Sequence, residues 1–166
     1  KAFLFSGTIE TNVAYADAAM GEERVERALA CAQALGFVNE REDGVDAAVA
    51  QGGSNVSGGQ RQRLAIARAL AADARAYLFD DSFSALDYQT DAALRQAMAH
   101  DLGDVTQVIV AQRISSIRHA DCIVVLDEGR VVGQGTHDEL MASCEEYREI
   151  AYSQLTAEEL EGGDAA

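Results

Sequence analysis

The sequence predicts an α/β domain with a largely parallel sheet. Three observations carry that expectation. Amphipathic helical stretches alternate with short apolar runs at 76–79, 105–111 and 122–126. The run from Val105 to Ala111 is rich in β-branched residues, as in a buried parallel strand. The first 55 residues show no convincing strand and are expected to form a separate helical lobe.

The elements follow in order. Ser6-Gly7-Thr8-Ile9-Glu10 has the composition of a short helix start. A first amphipathic helix is expected over 22–35. Val25, Ala28, Leu29, Ala32 and Leu35 share one face and Gly36 stands as its C-terminal cap. Residues 39–55 read as a short helix and a glycine-containing loop. A second helix begins at Ser57, where Ser57-x-x-Gln60 fits a capping box in which each side chain satisfies an exposed backbone N–H. A strand follows over 76–79, then a helix over 88–100 with Leu94, Ala97 and Met98 inward. After the strand at 105–111 come a short helix near 114–119 and a strand at 122–126. Glu128-Gly129 turns that strand into 130–133 as a hairpin. Thr136-x-x-Glu139 is a second capping box, opening two short helices within 137–153.

Composition bounds the function classes. Apolar content of 48% and charged content of 25% are ordinary for a globular domain. No apolar run approaches the roughly 20 residues that span a bilayer, and no targeting peptide opens the chain. The formal net charge of −15, from 13 basic and 28 acidic residues, disfavours nucleic acid as the main ligand. Cys31, Cys122 and Cys144 have no metal-ligand spacing and read as reduced thiols. His100, His119 and His137 are scattered and read as structural or exposed. Arg61, Arg63, Arg68 and Arg75 cluster, either near phosphate or on a solvated helix face, the second reading being preferred.

Two segments carry chemistry. In Asn55-Val56-Ser57-Gly58-Gly59-Gln60-Arg61-Gln62-Arg63, Gly58 and Gly59 lack side chains, so backbone can approach a ligand closely. A helix start directs free N–H groups and a partial positive charge at an anion, and Ser57 adds a hydroxyl donor. This is a phosphate-binding helix start. In Ala76-Tyr77-Leu78-Phe79-Asp80-Asp81, an apolar strand ends in a carboxylate, an acceptor-only group suited to magnesium.

The order and spacing of these segments, with Ser84-Ala85-Leu86-Asp87 after them, resemble the ATPase domain of ABC transporters, specifically exporters, from the first residue to about residue 153. The resemblance implies an incomplete P-loop NTPase (RecA-like) parallel sheet with an α-helical subdomain. It divides the chain into a helical subdomain and loop (1–55), the signature helix with the C-terminal part of the ATPase core (56–153), and an acidic, disordered tail (154–166). Ser57, Gly58, Gly59 and Gln60 correspond to the signature, which in this family touches the γ-phosphate of ATP held by a partner ATPase domain. Asp80 corresponds to the Walker B aspartate that holds Mg2+. Ser84, Ala85, Leu86 and Asp87 correspond to the D-loop. Lys1 to Ile9 resembles the segment just after the family's Q-loop glutamine. That glutamine, the adenine-stacking aromatic and the Walker A loop are expected upstream of Lys1. No Gly-x-x-x-x-Gly-Lys-Ser/Thr string occurs in these residues.

Two positions depart from the family pattern. Asp81 stands where glutamate normally polarises the attacking water. Its carboxylate sits back by about an ångström, a displacement that can cost about 10²-fold in rate. Val108-Ile109-Val110-Ala111-Gln112-Arg113 resembles the switch strand, which normally ends in histidine. Gln112 donates a hydrogen bond but cannot become cationic near neutral pH. The resemblance is thus to the degenerate-site half of a heterodimeric exporter. In that arrangement this chain's own ATP site is slow or silent, and its signature completes a competent site on a second, different ATPase domain. A transmembrane domain would seat the assembly at the cytoplasmic face of the cell membrane, and nucleic acid is not an expected partner.

Two other readings fit parts of the pattern. ATPase heads of chromosome-organising or DNA-repair proteins carry long heptad arms, and no sustained heptad precedes residue 56. A non-catalytic truncated remnant is the other. The family's Walker A strand would fall between the strands at 105–111 and 122–126. The 166 residues alone are therefore expected to be unstable and to lack measurable ATPase activity.

Overall fold

The structure, a computed structural model, describes residues 2–154. The tail expected at 154–166 lies, beyond Gln154, outside the described residues. The chain forms two compact units, Lys1–Val110 and a second beginning at Ala111. The architecture is mixed α/β with a parallel strand pair, as the sequence predicts.

In the first unit, strand β1 (Gly7–Thr8) pairs antiparallel with β2 (Ala48–Val49), a small ladder the sequence did not announce. Helix α1 (Ile9–Val13) starts at Thr8, whose hydroxyl forms a capping box with Thr11. Asn12 is 1% exposed, yet its carboxamide is satisfied. It accepts from Phe5 N–H and donates to the carbonyls of Phe5 and Thr8, each at 2.9 Å.

Helix α2 (Glu22–Cys31) is shorter than the periodicity predicts. Gln33 takes a left-handed conformation (φ 55°), so Gln33 N–H reaches Ala30 O and Ala34 N–H reaches Leu29 O at 2.8 Å. That is the Schellman closure. The helix therefore ends before Gly36, which instead lies inside a separate short helix, α3 (Leu35–Asn39).

Helix α4 (Gly58–Ala71) buries Leu64, Ile66, Ala67 and Leu70. With Ile9, Val13, Val25 and Leu29 they form one hydrophobic core, continuous across residue 55. Strand β3 (Ala76–Asp80) lies parallel to β4 (Thr106–Val110), Leu78 opposite Val108. Between them runs α5 (Tyr88–Leu102), which buries Leu94 and Met98. The buried strand expected at 105–111 needs correction. Tyr77 and Phe79 face the core, but Leu78 (71% exposed), Val108 and Val110 (each 52%) form an open apolar face.

In the second unit, β5 (Ile123–Asp127) and β6 (Arg130–Gly135) form the expected hairpin. Glu128 (φ 44°) and Gly129 (φ 77°) are both left-handed, matching a tight two-residue turn. Residues 114–119 hold a single 3₁₀ turn, Ile114–Ser116, where a short helix was expected. Thr136 caps α6 (His137–Ser143) through the capping box with Glu139, and α7 (Glu145–Gln154) follows. Leu140, Cys144, Tyr147 and Ala151 pack with Ile114, Ile123 and Val125.

Candidate functional site

The site begins at the N-terminus of α4. Ser57 is its N-cap in extended backbone, and its Oγ accepts from Gln60 N–H at 3.2 Å. The Gln60 side chain reciprocates, accepting from Ser57 N–H at 3.1 Å. These two bonds fix the helix start and leave the Gly58 and Gly59 amides without partners inside the helix. The Ser57 hydroxyl retains its own proton to donate. Ser57 and Gly58 are exposed and a Cβ on Gly58 would meet nothing within 4 Å, so this end of the helix is open. A Cβ on Gly59 would lie 3.4 Å from Ala85 O, so this turn sits directly against the 84–87 loop. The result is a preorganised concentration of N–H and O–H donors on an exposed helix tip, chemistry suited to a phosphate.

The loop before the helix is held by short-range clamps. Asn55 accepts from Ala50 N–H at 2.9 Å and donates to Ala48 O at 2.8 Å. Gly53 (φ 69°) packs on Leu4 and on the stem of Arg61. Three members of the arginine cluster engage backbone carbonyls of neighbouring segments. Arg61 reaches toward the Gly52 and Gly53 carbonyls, Arg63 donates to Gln33 O at 2.7 Å and Arg68 to Phe3 O at 2.8 Å. They tie the helix to the segments packed around it, and Arg75 alone remains on the surface.

Strand β3 delivers the carboxylates. Asp80 is exposed at the C-terminal end of the strand, with no side-chain hydrogen bond to its carboxylate among the described residues. No cluster of three or more His, Cys, Asp or Glu surrounds it among those residues. A single exposed carboxylate has the chemistry of a magnesium ligand, since magnesium binds through one or two carboxylates and takes its other oxygens from substrate phosphates and water. Asp81 differs from its neighbour. Its N–H extends the parallel ladder to Val110 O at 2.9 Å, then its backbone turns left-handed (φ 49°), a conformation aspartate tolerates better than most residues. Ser84 Oγ lies 3.1 Å from Asp81 Oδ2 and 3.0 Å from Asp81 O. The Asp81 carboxylate is thus drawn onto its own following loop.

That loop closes with Leu86 buried and Asp87 capping α5. Asp87 Oδ1 accepts from Thr90 N–H at 2.9 Å, and its other oxygen from the Thr90 hydroxyl at 2.8 Å. These bonds, the backbone one foremost, hold the Asp87 carboxyl below its usual range. One residue absent from the sequence-based site joins everything. Gln62, 9% exposed, donates to Asp81 O at 3.1 Å and accepts from Ala85 N–H at 3.2 Å. Gln62 lies within the string quoted from the sequence, but nothing there announces its role, because its partners lie beyond the next strand. Gln112 lies in the second unit, exposed in a bend after β4. Its carbonyl accepts from Gln154 Nε2 at 2.7 Å, while Gln154 Oε1 takes the Ile114 N–H at 2.9 Å.

No helix among the described residues is long and apolar enough to cross a membrane. The ABC transporter family model matches residues 2–84. An ABC transporter ATP-binding protein of Mycobacterium tuberculosis is 48% identical over 93% of this chain and 27% of its own length. An ATP-dependent lipid A-core flippase of Desulfotalea psychrophila is 40% identical over 89% of this chain and 26% of its own. Among solved structures, a bacterial Atm1-family ABC exporter with ATP bound superposes with a TM-score of 0.89 at 34% identity. That match covers 93% of this chain and 27% of the exporter chain. The chain spans about a quarter of the length of the curated relatives it matches.

Proposed function

This chain belongs to the ABC transporter family, and from that premise we propose that it supplies the signature to an ATP site completed by a second ATPase domain. In this reading Ser57, Gly58, Gly59 and Gln60 close on the γ-phosphate of ATP carried by the partner. The observation that carries it is the capped, glycine-opened start of α4, whose donors are fixed in place yet face an open approach. Fixed donors require no reorganisation as charge shifts during phosphoryl transfer. Asp80 would hold magnesium, which would supply positive charge to offset that of the phosphates.

The chain's own ATP site is the weaker of the two. Asp81 is short by one methylene relative to glutamate, and Ser84 engages one of its oxygens. Both features oppose placing a carboxylate against an attacking water. Gln112 offers a hydrogen bond without a cationic form. The assembly is then an asymmetric pair joined to a transmembrane domain at the cytoplasmic face of the membrane. ATP in the weak site holds the pair together, and hydrolysis in the strong site drives export. The flippase and exporter names among its relatives support export as the direction.

The experiment measures ATP turnover by the complete transporter, with its partner subunit, in lipid nanodiscs. Gly58→Glu blocks the signature with bulk and charge, and turnover is expected to fall by about 10²-fold or more. Asp81→Asn is expected to change turnover by less than about twofold, and Asp81→Glu with Gln112→His to raise it, since the silent site regains its reach and its titratable group. Loss of turnover in Asp81→Asn comparable to that in Gly58→Glu would remove the asymmetric reading.

A further inference from the structure

We propose that Gln62 is a positioning residue that links closure of the signature to the geometry of the D-loop. This rests on the function proposed above. Gln62 lies one turn inside α4, on the helix whose first turn presents the phosphate donors. Its buried carboxamide uses both of its ends. The NH2 group donates to the carbonyl of Asp81, where β3 ends, and the oxygen accepts the N–H of Ala85, inside the D-loop. One side chain thereby joins three pieces of backbone separated by 19 and 23 positions.

A second contact runs parallel to it, since Gly59 of the helix tip lies against Ala85 O. Ala85 is thus approached at its carbonyl by the turn proposed to meet phosphate and held at its N–H by Gln62. Displacement of the helix tip must move the loop with it, because the amide cannot release either bond without leaving a buried polar group unpaired. The same rigid link reaches Asp81 through its carbonyl, so the loop's position and the direction of the Asp81 side chain are set together. A signature closing on the partner's nucleotide would in this way reset the loop and carboxylate beside this chain's own nucleotide site. Gln62 itself need touch no ligand.

The test again uses the complete transporter with its partner subunit, with amide hydrogen exchange alongside ATP kinetics. Gln62→Met keeps the length and removes both bonds. It is expected to lower kcat about tenfold with KM for ATP within about twofold, and to raise exchange at Ala85 N–H about tenfold. Exchange at Ala67, in the same helix but away from the bridge, should hold. Gln62→Glu keeps the acceptor for Ala85 and loses the donor to Asp81, so Ala85 should stay protected while kcat falls. Unchanged kcat and unchanged Ala85 exchange in Gln62→Met, beside a silent Gly58→Glu, would overturn the coupling role and leave the signature reading standing. A parallel rise at Ala67 and Ala85 would reduce Gln62 to a structural residue and also overturn it. Full turnover in Gly58→Glu would instead remove the signature reading itself, and the coupling with it.

Discussion

Cys31 shows how one buried thiol responds to its surroundings. It lies on the inner face of α2, and burial, with the Asp101 carboxylate as a lesser contributor, pushes its pKa up to about 12 from an ordinary 9.0. A raised acid pKa means that the folded state holds its proton after the unfolded chain has lost it. Stability therefore falls as pH rises between about 9 and 12, and the effect is absent below that window. Thermal melts of the complete protein between pH 8 and 10.5 should show this loss, and Cys31→Ala should flatten it. An equal alkaline slope in both proteins would refute the assignment. A thiol reagent should meanwhile reach exposed Cys122 before the buried Cys31 and Cys144. The sequence marked these cysteines as reduced thiols, but only the fold shows which are sheltered. Asn12 and Gln62 were equally hidden. Each is a polar residue among polar neighbours, and nothing in its surroundings marks it as the one the fold buries.

At the scale of elements, what proved legible was what is local. The capping boxes at Ser57 and Thr136, and the hairpin turn at Glu128-Gly129, require partners within three residues, and all formed as read. The end of α2 did not, because a left-handed Gln33 closed the helix where glycine would have been the expected signal. The α4 start combines a helix cap with the proposed phosphate contact, and two substitutions separate them. Ser57→Ala removes the cap and should cost about 1 kcal/mol of stability. Ser57→Asp keeps an N-cap acceptor, so the melt should stay within a few degrees of the parent, yet its charge would face the partner's triphosphate. ATP turnover should fall in both, and further in Ser57→Asp. Full turnover with the aspartate in place would show that this helix tip meets no phosphate.

At the scale of the whole molecule, the family was legible because phosphate and magnesium chemistry confines residue types to fixed spacings, whereas burial was not. A run such as Val105 to Ala111 reads as a strand covered on both sides, but coverage depends on what lies against it. Within the first unit, Leu78, Val108 and Val110 form an uncovered apolar stripe. Within the second, Val124, Leu126 and Val131 of the hairpin are between 51% and 68% exposed. Contiguous apolar surface of this kind marks an interface when covered and an aggregation site when not. A polypeptide of these 166 residues by itself should therefore bind a hydrophobic dye, self-associate with rising concentration and show no ATP turnover. Supplying the rest of an ABC ATP-binding domain in the same polypeptide should suppress dye binding. A monomeric isolated chain with a sharp, reversible melt and no dye binding would mean that these strand faces need no cover. The open stripe would then be ordinary surface rather than half of a sheet's packing.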